Sequence, residues 1–369
     1  MRALSFVVLA LACAVAPACP ARAGADPHSF SSADDIAALV QAPTTFDQWL
    51  GELLVEARER GYSDELLTRT LAGLQPLRHV VQSDRTQPEL TVTFEQYVNR
   101  RVTPEVVRLG RELLRQHGPL LARVRDVYDV PAAVVVAVWG LESRFGRAGG
   151  RTPIFQALAT LAWEPRRARF FRGQLYDALT MVARGDIDEP RMTGSWAGAM
   201  GQPQFMPSSY LAYAVDFDGD GRRDIWTSYA DTFASIANYL ERHGWRRGET
   251  WGREVRVPPA AARRIAANLE PRSSGCRAMR TTLGPLLLAD WQRLGVRRAD
   301  GRDLPDVYQE AGLVEAGPRR FLVYGNYDVL LRYNCAHHYA LTVAMLADRI
   351  GAPAAPRPPV RPASRARTR

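Results

Sequence analysis

Apolar side chains recur at helical spacing through the first two thirds of the chain. Trp49, Leu50, Leu53 and Leu54 share one face of a helix predicted over 46–58, and Leu109, Leu113, Leu120 and Val124 share one face of a single helix predicted over 106–127. From residue 254 the texture changes. Val255 and Val257 alternate with arginine, turns rich in Gly and Pro follow, and 320–324 and 328–333 look like short strands around a Gly325-Asn326 turn. A last helix is predicted over 339–350, with Ala340, Val343, Leu346 and Ile350 on one face and Gly351 at its end. The pattern is that of a mainly α protein with a small α+β insert. Residues 352–369, rich in Pro and Arg, have too little apolar surface to bury and are expected to be disordered.

One helix carries candidate chemistry. The stretch from Pro131 to Gly146 opens with Pro and closes with Gly, as helices often do. Counting back from Glu142 meets Trp139, Val138 and Val135, so the carboxyl leaves the helix on its apolar face. Burial and the negative end of the helix dipole both favour the protonated form there. A carboxylic acid kept protonated near neutral pH is the proton donor that glycosidic cleavage requires. The plainer alternative is a Glu that snorkels to water at the helix end or pairs with Arg144.

Composition narrows the setting. Residues 1–23 combine a basic Arg2, an apolar run from Leu4 to Val15 and an Ala21-Arg22-Ala23 site, the layout of a cleaved signal peptide. Export to the periplasm is expected, with lipid attachment at Cys13 or Cys19 the lesser alternative because neither follows a Leu-led tetrapeptide. Outside the leader only Cys276 and Cys335 remain, and in an oxidising compartment they are expected to pair. The formal net charge is +9 and every cationic residue is Arg. That balance suits an anionic cell-wall partner, while export argues against nucleic acid.

Longer motifs point to a family. Ala137-Val-Trp-Gly-Leu-Glu-Ser-Arg-Phe-Gly146, followed by Ala159-Thr-Leu161 and Arg166-Arg167, resembles the lytic murein transglycosylase B family. Gly194-Ser-Trp-Ala-Gly-Ala-Met-Gly-Gln-Pro-Gln-Phe-Met-Pro-Ser-Ser209 looks like that family's central signature. Further matches run through Asp216 to Trp226, Ser235 to Tyr239, Tyr333-Asn334 and Tyr339-Ala340, with weaker echoes at Gln87-Pro88-Glu89 and Tyr97. The resemblance implies a lysozyme-like helical core at 126–250, a helical domain at 24–125, a small α+β domain at 251–333 and a helix at 334–351 closing the cleft. It also implies cleavage of the β-1,4 bond between N-acetylmuramic acid and N-acetylglucosamine in peptidoglycan glycan strands, giving a 1,6-anhydro sugar. Glu142 would act alone as acid and then base, because the muramoyl 6-hydroxyl is the nucleophile. Carried over by position, Ser195 and Gln204 would bond the sugar or orient Glu142, and Arg166 and Arg167 would meet substrate carboxylates. Tyr239, Tyr333, Asn334, Tyr339 and Tyr97 would line the cleft. Ala336 departs from the family, which commonly has Ser there.

Asp216, Asp218, Asp220 and Gly221 match the first half of an EF-hand loop, but Thr227 stands where the usual closing Glu would be. The resemblance implies a longer loop, with Asp216, Asp218, Asp220, the Arg222 carbonyl and Asp231 as ligands and Asp224 as an indirect one. A structural Ca²⁺ is expected and no cofactor for catalysis; the alternative is a metal-free loop of Asx-turns. A monomer is expected, with peripheral association to the outer membrane or cell wall as an option. Two other functions compete: a muramidase-type hydrolase of the same bond, and a non-catalytic peptidoglycan-binding scaffold.

Overall fold

Helical periodicity becomes helix through most of the computed structural model, which describes residues 45–86 and 92–352. The leader, Gln87-Pro88-Glu89 and the tail beyond Ala352 lie outside the described residues. Helices α1 (Phe46–Glu59), α2 (Asp64–Leu71) and α3 (Arg78–Thr86) come first. α4 (Phe94–Arg101) and α5 (Pro104–Gln116) each start on a threonine whose hydroxyl accepts a backbone N–H of the first turn, Gln96 on Thr93 and Val106 on Thr103. The single helix expected over 106–127 is in fact two. α5 stops at His117 and α6 (Gly118–Tyr128) restarts with Pro119 in its first turn. Proline lacks the N–H that a continuous helix would need there, so the apolar stripe crosses a break that its periodicity hides.

α7 (Ala132–Ser143) carries Glu142 and is buried on nearly every side. β1 (Thr152–Pro153) pairs antiparallel with β2 (Thr193–Gly194), bracketing α8 (Ile154–Trp163) and α9 (Ala168–Ala183). α10 (Pro207–Tyr213) and α11 (Tyr229–Arg242) follow, with the acidic loop between them. α1, α2 and α3 pack on α8, whereas α5, α6 and α11 pack on α7.

The insert is an antiparallel sheet in the order β4-β6-β7-β3-β5. Its strands are β3 (Gly252–Arg256), β4 (Leu283–Leu287), β5 (Arg297–Arg298), β6 (Glu310–Ala316) and β7 (Arg319–Val323). α12 (Pro259–Asn268) and α13 (Leu288–Arg293) pack with it around Trp291, Val255, Leu313 and Leu322, a core separate from the main one. The strand expected over 328–333 is part of a helix instead, α14 (Gly325–Tyr333), which buries Tyr327, Leu330 and Leu331. Those positions are i, i+3 and i+4, so the helical period wins over a short run of apolar residues that also suits a strand. α15 (His337–Gly351) then lies along α7. A disulfide joins Cys276 to Cys335, tying the insert to the turn between α14 and α15.

Candidate active site

Glu142 sits in the last turn of α7, half-buried, with Trp139 and Val138 fully buried behind it. The helix ends on two non-glycine residues in the left-handed region, Arg144 at φ 51° and Phe145 at φ 60°. Ser143 makes this possible: its hydroxyl donates to Trp139 O at 3.1 Å and accepts from Gly146 N at 3.0 Å. The Phe145 ring folds back over Gly140, where a Cβ would stand 2.6 Å from a ring carbon. The phrase Trp-Gly-Leu-Glu-Ser-Arg-Phe-Gly is thus a helix terminator, with Trp139 Nε1 further donating to buried Gln202 Oε1 at 2.7 Å. Arg101 donates to the Leu141 carbonyl at 3.4 Å and stacks on Tyr97, bringing a cation to the C-terminal end of α7.

α15 supplies the direct partner. Tyr339 is buried, and its hydroxyl donates to Glu142 Oε1 at 2.5 Å. Burial, then the Glu142 charge, drives the Tyr339 pKa well above its ordinary value, so the phenol stays a donor. Tyr333 stacks on Tyr339 with ring centroids 6.3 Å apart, and Tyr239 lies 4.7 Å from Tyr333. Their hydroxyls donate to backbone: Tyr333 to Pro203 O and Tyr239 to Arg332 O, each at 2.7 Å. These bonds hold α11, α14 and the 194–209 segment together; Tyr239 and Tyr339 are buried, and Tyr333 stays partly exposed. Tyr97 reaches the same neighbourhood through its ring contact with His338. Asn334 is exposed just beyond α14.

In the 194–209 segment, Ser195 Oγ accepts from Ala199 N at 3.0 Å, closing a tight turn. Gln204 adopts φ 53° and its amide donates to Gly149 O and Gly201 O at 3.0 and 2.8 Å. Both side chains therefore brace their own loop in this structure, where the resemblance would have them bond the sugar or orient Glu142.

Arg166 and Arg167 lie elsewhere in their bonding. Arg166 Nε donates to Asp84 Oδ2 at 2.8 Å, its Nη2 donates to Asp84 O at 2.6 Å, and Arg167 pairs with Asp84 Oδ1. Burial acts to raise the Asp84 carboxyl, yet the two guanidinium groups outweigh it and hold its pKa below the ordinary value. In this structure the two arginines form a clamp from α3 to the start of α9, the bonding that their expected role toward substrate carboxylates did not anticipate. Asp84 was invisible as their partner because 82 residues separate it from Arg166.

The acidic loop gathers three of its proposed ligands. Asp216, Asp218 and Asp231 each place an oxygen within 4.8 Å of the others. Asp231 is fully buried, and burial together with the charges of Asp218 and Asp216 pushes its pKa up to about 6, against two backbone hydrogen bonds. Such crowding is what a hard cation relieves, so these residues fit a calcium ion. Asp220 departs from expectation: it stands outside this cluster, its Oδ1 accepting from Arg222 N at 2.8 Å, as in an Asx-turn. Asp224 accepts from Trp226 N and Thr227 N, and so shapes the turn into α11.

Comparison with known proteins fits this geometry. The family model described as "Transglycosylase SLT domain" matches residues 45–348. Membrane-bound lytic murein transglycosylase B of Escherichia coli (strain K12) is 36% identical over 260 residues, covering 69% of this chain and 66% of that relative, just under two thirds of its length. SltB3 of Pseudomonas aeruginosa, solved with NAG-anhNAM-pentapeptide, is 39% identical with a TM-score of 0.73, covering 83% of this chain and 80% of that one. The lytic transglycosylase Slt35 of Escherichia coli, solved in complex with calcium, is 29% identical with a TM-score of 0.67, covering 83% and 92%.

Proposed function

The chain belongs to the transglycosylase SLT domain family, and from that premise we propose that it is a lytic murein transglycosylase with Glu142 as its single acid/base group. The observation that carries the assignment is Glu142 at the end of a buried helix, gripped by the Tyr339 hydroxyl at 2.5 Å and walled by Tyr333. The stretch from Gly194 to Val215 contains no Asp or Glu that could serve as a second carboxylate. A protonated Glu142 gives its proton to the bridging oxygen as the C1–O bond breaks. The resulting carboxylate takes the proton of the muramoyl 6-hydroxyl as that oxygen bonds to C1, which closes the 1,6-anhydro ring and regenerates the acid without consuming water. An internal nucleophile removes the need for a second carboxylate to activate water. Tyr339 holds one oxygen of the carboxyl through both steps.

The substrate of this chemistry is peptidoglycan carrying stem peptides, in keeping with the ligand named in the SltB3 complex. Asp216, Asp218 and Asp231 would hold a structural calcium ion ahead of α11, outside the reaction itself, in keeping with the calcium complex of Slt35. The protein works in the periplasm after removal of its leader. Among the described residues no helix is long and apolar enough to cross a membrane.

The test is Glu142→Gln, which keeps the side-chain shape and removes the titrating group. We expect the variant to melt like wild type and still bind glycan, with turnover of purified sacculi reduced at least about a thousandfold, the scale of a lost acid/base step. Retention of a tenth of wild-type turnover would rule out a single carboxyl catalyst.

A further inference from the structure

A groove of about 500 Å³ opens where the start of α7, the approach to β3 and the last turns of α15 meet. Aromatic and aliphatic side chains make most of its wall, among them Trp245, Trp251, Val134, Leu330 and Val343. Its acids are Glu249 and Asp348, and no cationic side chain among the described residues lines it. Asp348 is exposed, accepts from Trp251 Nε1 at 2.9 Å and has no ion-pair partner among the described residues. Apolar surface left open beside an unpaired carboxylate marks a place where something docks.

The chain itself leads into this space. Ala352, the last described residue, is part of the groove wall, and residues 353–369 follow it directly. Their composition argues against a core of their own, but their order has a period. Pro353, Pro356, Pro359 and Pro362 recur at every third position. A polyproline II helix has three residues per turn, so these four rings share one edge of it, and the fixed φ of proline lowers the entropy lost on docking. Arg357, Arg361, Arg365, Arg367 and Arg369 accompany them, with no Asp or Glu. Grooves lined by aromatic side chains recognise such proline edges.

Charge selects this groove over its neighbour. A second groove, of about 590 Å³, opens beside α5 and the end of α15, and Arg108, Arg111, Arg115 and Arg349 line it against the single acid Glu112. An arginine-rich segment is repelled there and attracted to Asp348 and Glu249. The segment also starts in the wall of the groove that suits it, so almost no linker separates the two and the effective concentration for docking is high. We infer that residues 353–362 dock in this groove as a polyproline II helix, with the proline edge on Trp245 and Trp251 and an arginine paired to Asp348. The docked segment fastens the approach to β3 onto α7 and α15. Nine rises along α7 separate Ala133, in the groove, from Glu142, about 14 Å, so the cleft stays open.

The experiment places a photoreactive benzoylphenylalanine at Val360 of the full chain, a position off the proline edge. Irradiation, digestion and mass spectrometry are expected to find links within one chain to the stretch 245–251 or 343–348. Asp348→Arg and the double variant Pro356→Ala/Pro359→Ala should each cut the yield of these links at least fivefold. Asp348 is exposed and the prolines lie outside the described residues, so neither change touches the packed core. Links to α5, links between two copies of the chain, no links, or an unchanged yield in either variant would overturn the inference. Calorimetry gives a second reading. A synthetic peptide of residues 353–369 should bind a chain ending at Ala352 at least tenfold more tightly than the full chain, whose groove is already filled. Equal affinities for the two chains, or no binding to either, would contradict the docked segment.

Discussion

Glu142 owes its setting to a few contacts of uneven visibility in the sequence. Its place on the buried side of α7 follows from the spacing of Val135, Val138 and Trp139, which are all buried. The Tyr339 hydroxyl on Glu142 could not be read that way, since 197 residues separate the pair and only the family resemblance brought Tyr339 forward. Ser143 and Gln202 were missed altogether, because each looks like one more polar residue until the left-handed turn at Arg144 and Phe145 demands a cap. The pairing of Arg166 and Arg167 with Asp84 was not legible, because a doublet of cations carries no mark of its partner and Asp84 comes from another helix. A hydrogen bond to a charged group contributes about 1.5–3 kcal/mol. Tyr339→Phe should therefore lower kcat by about 10- to 100-fold, with KM nearly unchanged. Steady-state kinetics on soluble glycan fragments would check this, and an unaltered kcat would show that Tyr339 does not position the acid.

Elements differ in how clearly their period is written. α1 and α15 were legible because their apolar residues sit on one face between clear ends, β3 because Val255 and Val257 alternate with arginine, and β7 because Phe321, Leu322 and Val323 cluster there. The break between α5 and α6 was obscured by an apolar stripe that continues across His117, although Gly118-Pro119 marks it. α14 is short enough for its buried Tyr327, Leu330 and Leu331 to pass for a strand. The loop before α11 was legible through its alternating Asp residues, but not the exclusion of Asp220, which depends on a local turn. With Asp231 buried and its pKa raised, the metal-free loop carries a cost near neutral pH that a cation removes. Calcium at 100 times its Kd adds about 2.7 kcal/mol to stability, roughly 4 °C in a chain of this size. Melting curves of chelator-stripped protein should show that rise with calcium, and Asp218→Asn should shrink it. Superimposable curves with and without calcium would argue for a loop held by hydrogen bonds alone.

At the scale of the whole molecule, the insert is fastened by a covalent link that cysteine arithmetic anticipated and whose position only the fold explains. Cys276 lies in the insert and Cys335 beside Asn334, so the bridge fastens the sheet-bearing unit to the strand of chain that leads into the Tyr339 helix. A closed loop of 59 residues is worth about 4 kcal/mol through the unfolded chain. The double variant Cys276→Ser/Cys335→Ser should shift the urea midpoint down accordingly, and an unmoved midpoint would mean that the bridge does not stabilise the fold. The arrangement of α7, α15 and the 194–209 segment around one carboxyl makes a single claim about chemistry, that the sugar's own hydroxyl and not water completes the reaction. Digestion of purified sacculi in ¹⁸O-labelled water, followed by mass spectrometry of the released muropeptides, tests it directly. The account predicts 1,6-anhydro ends lacking label from the first turnovers; reducing ends carrying ¹⁸O would contradict it and identify a hydrolase.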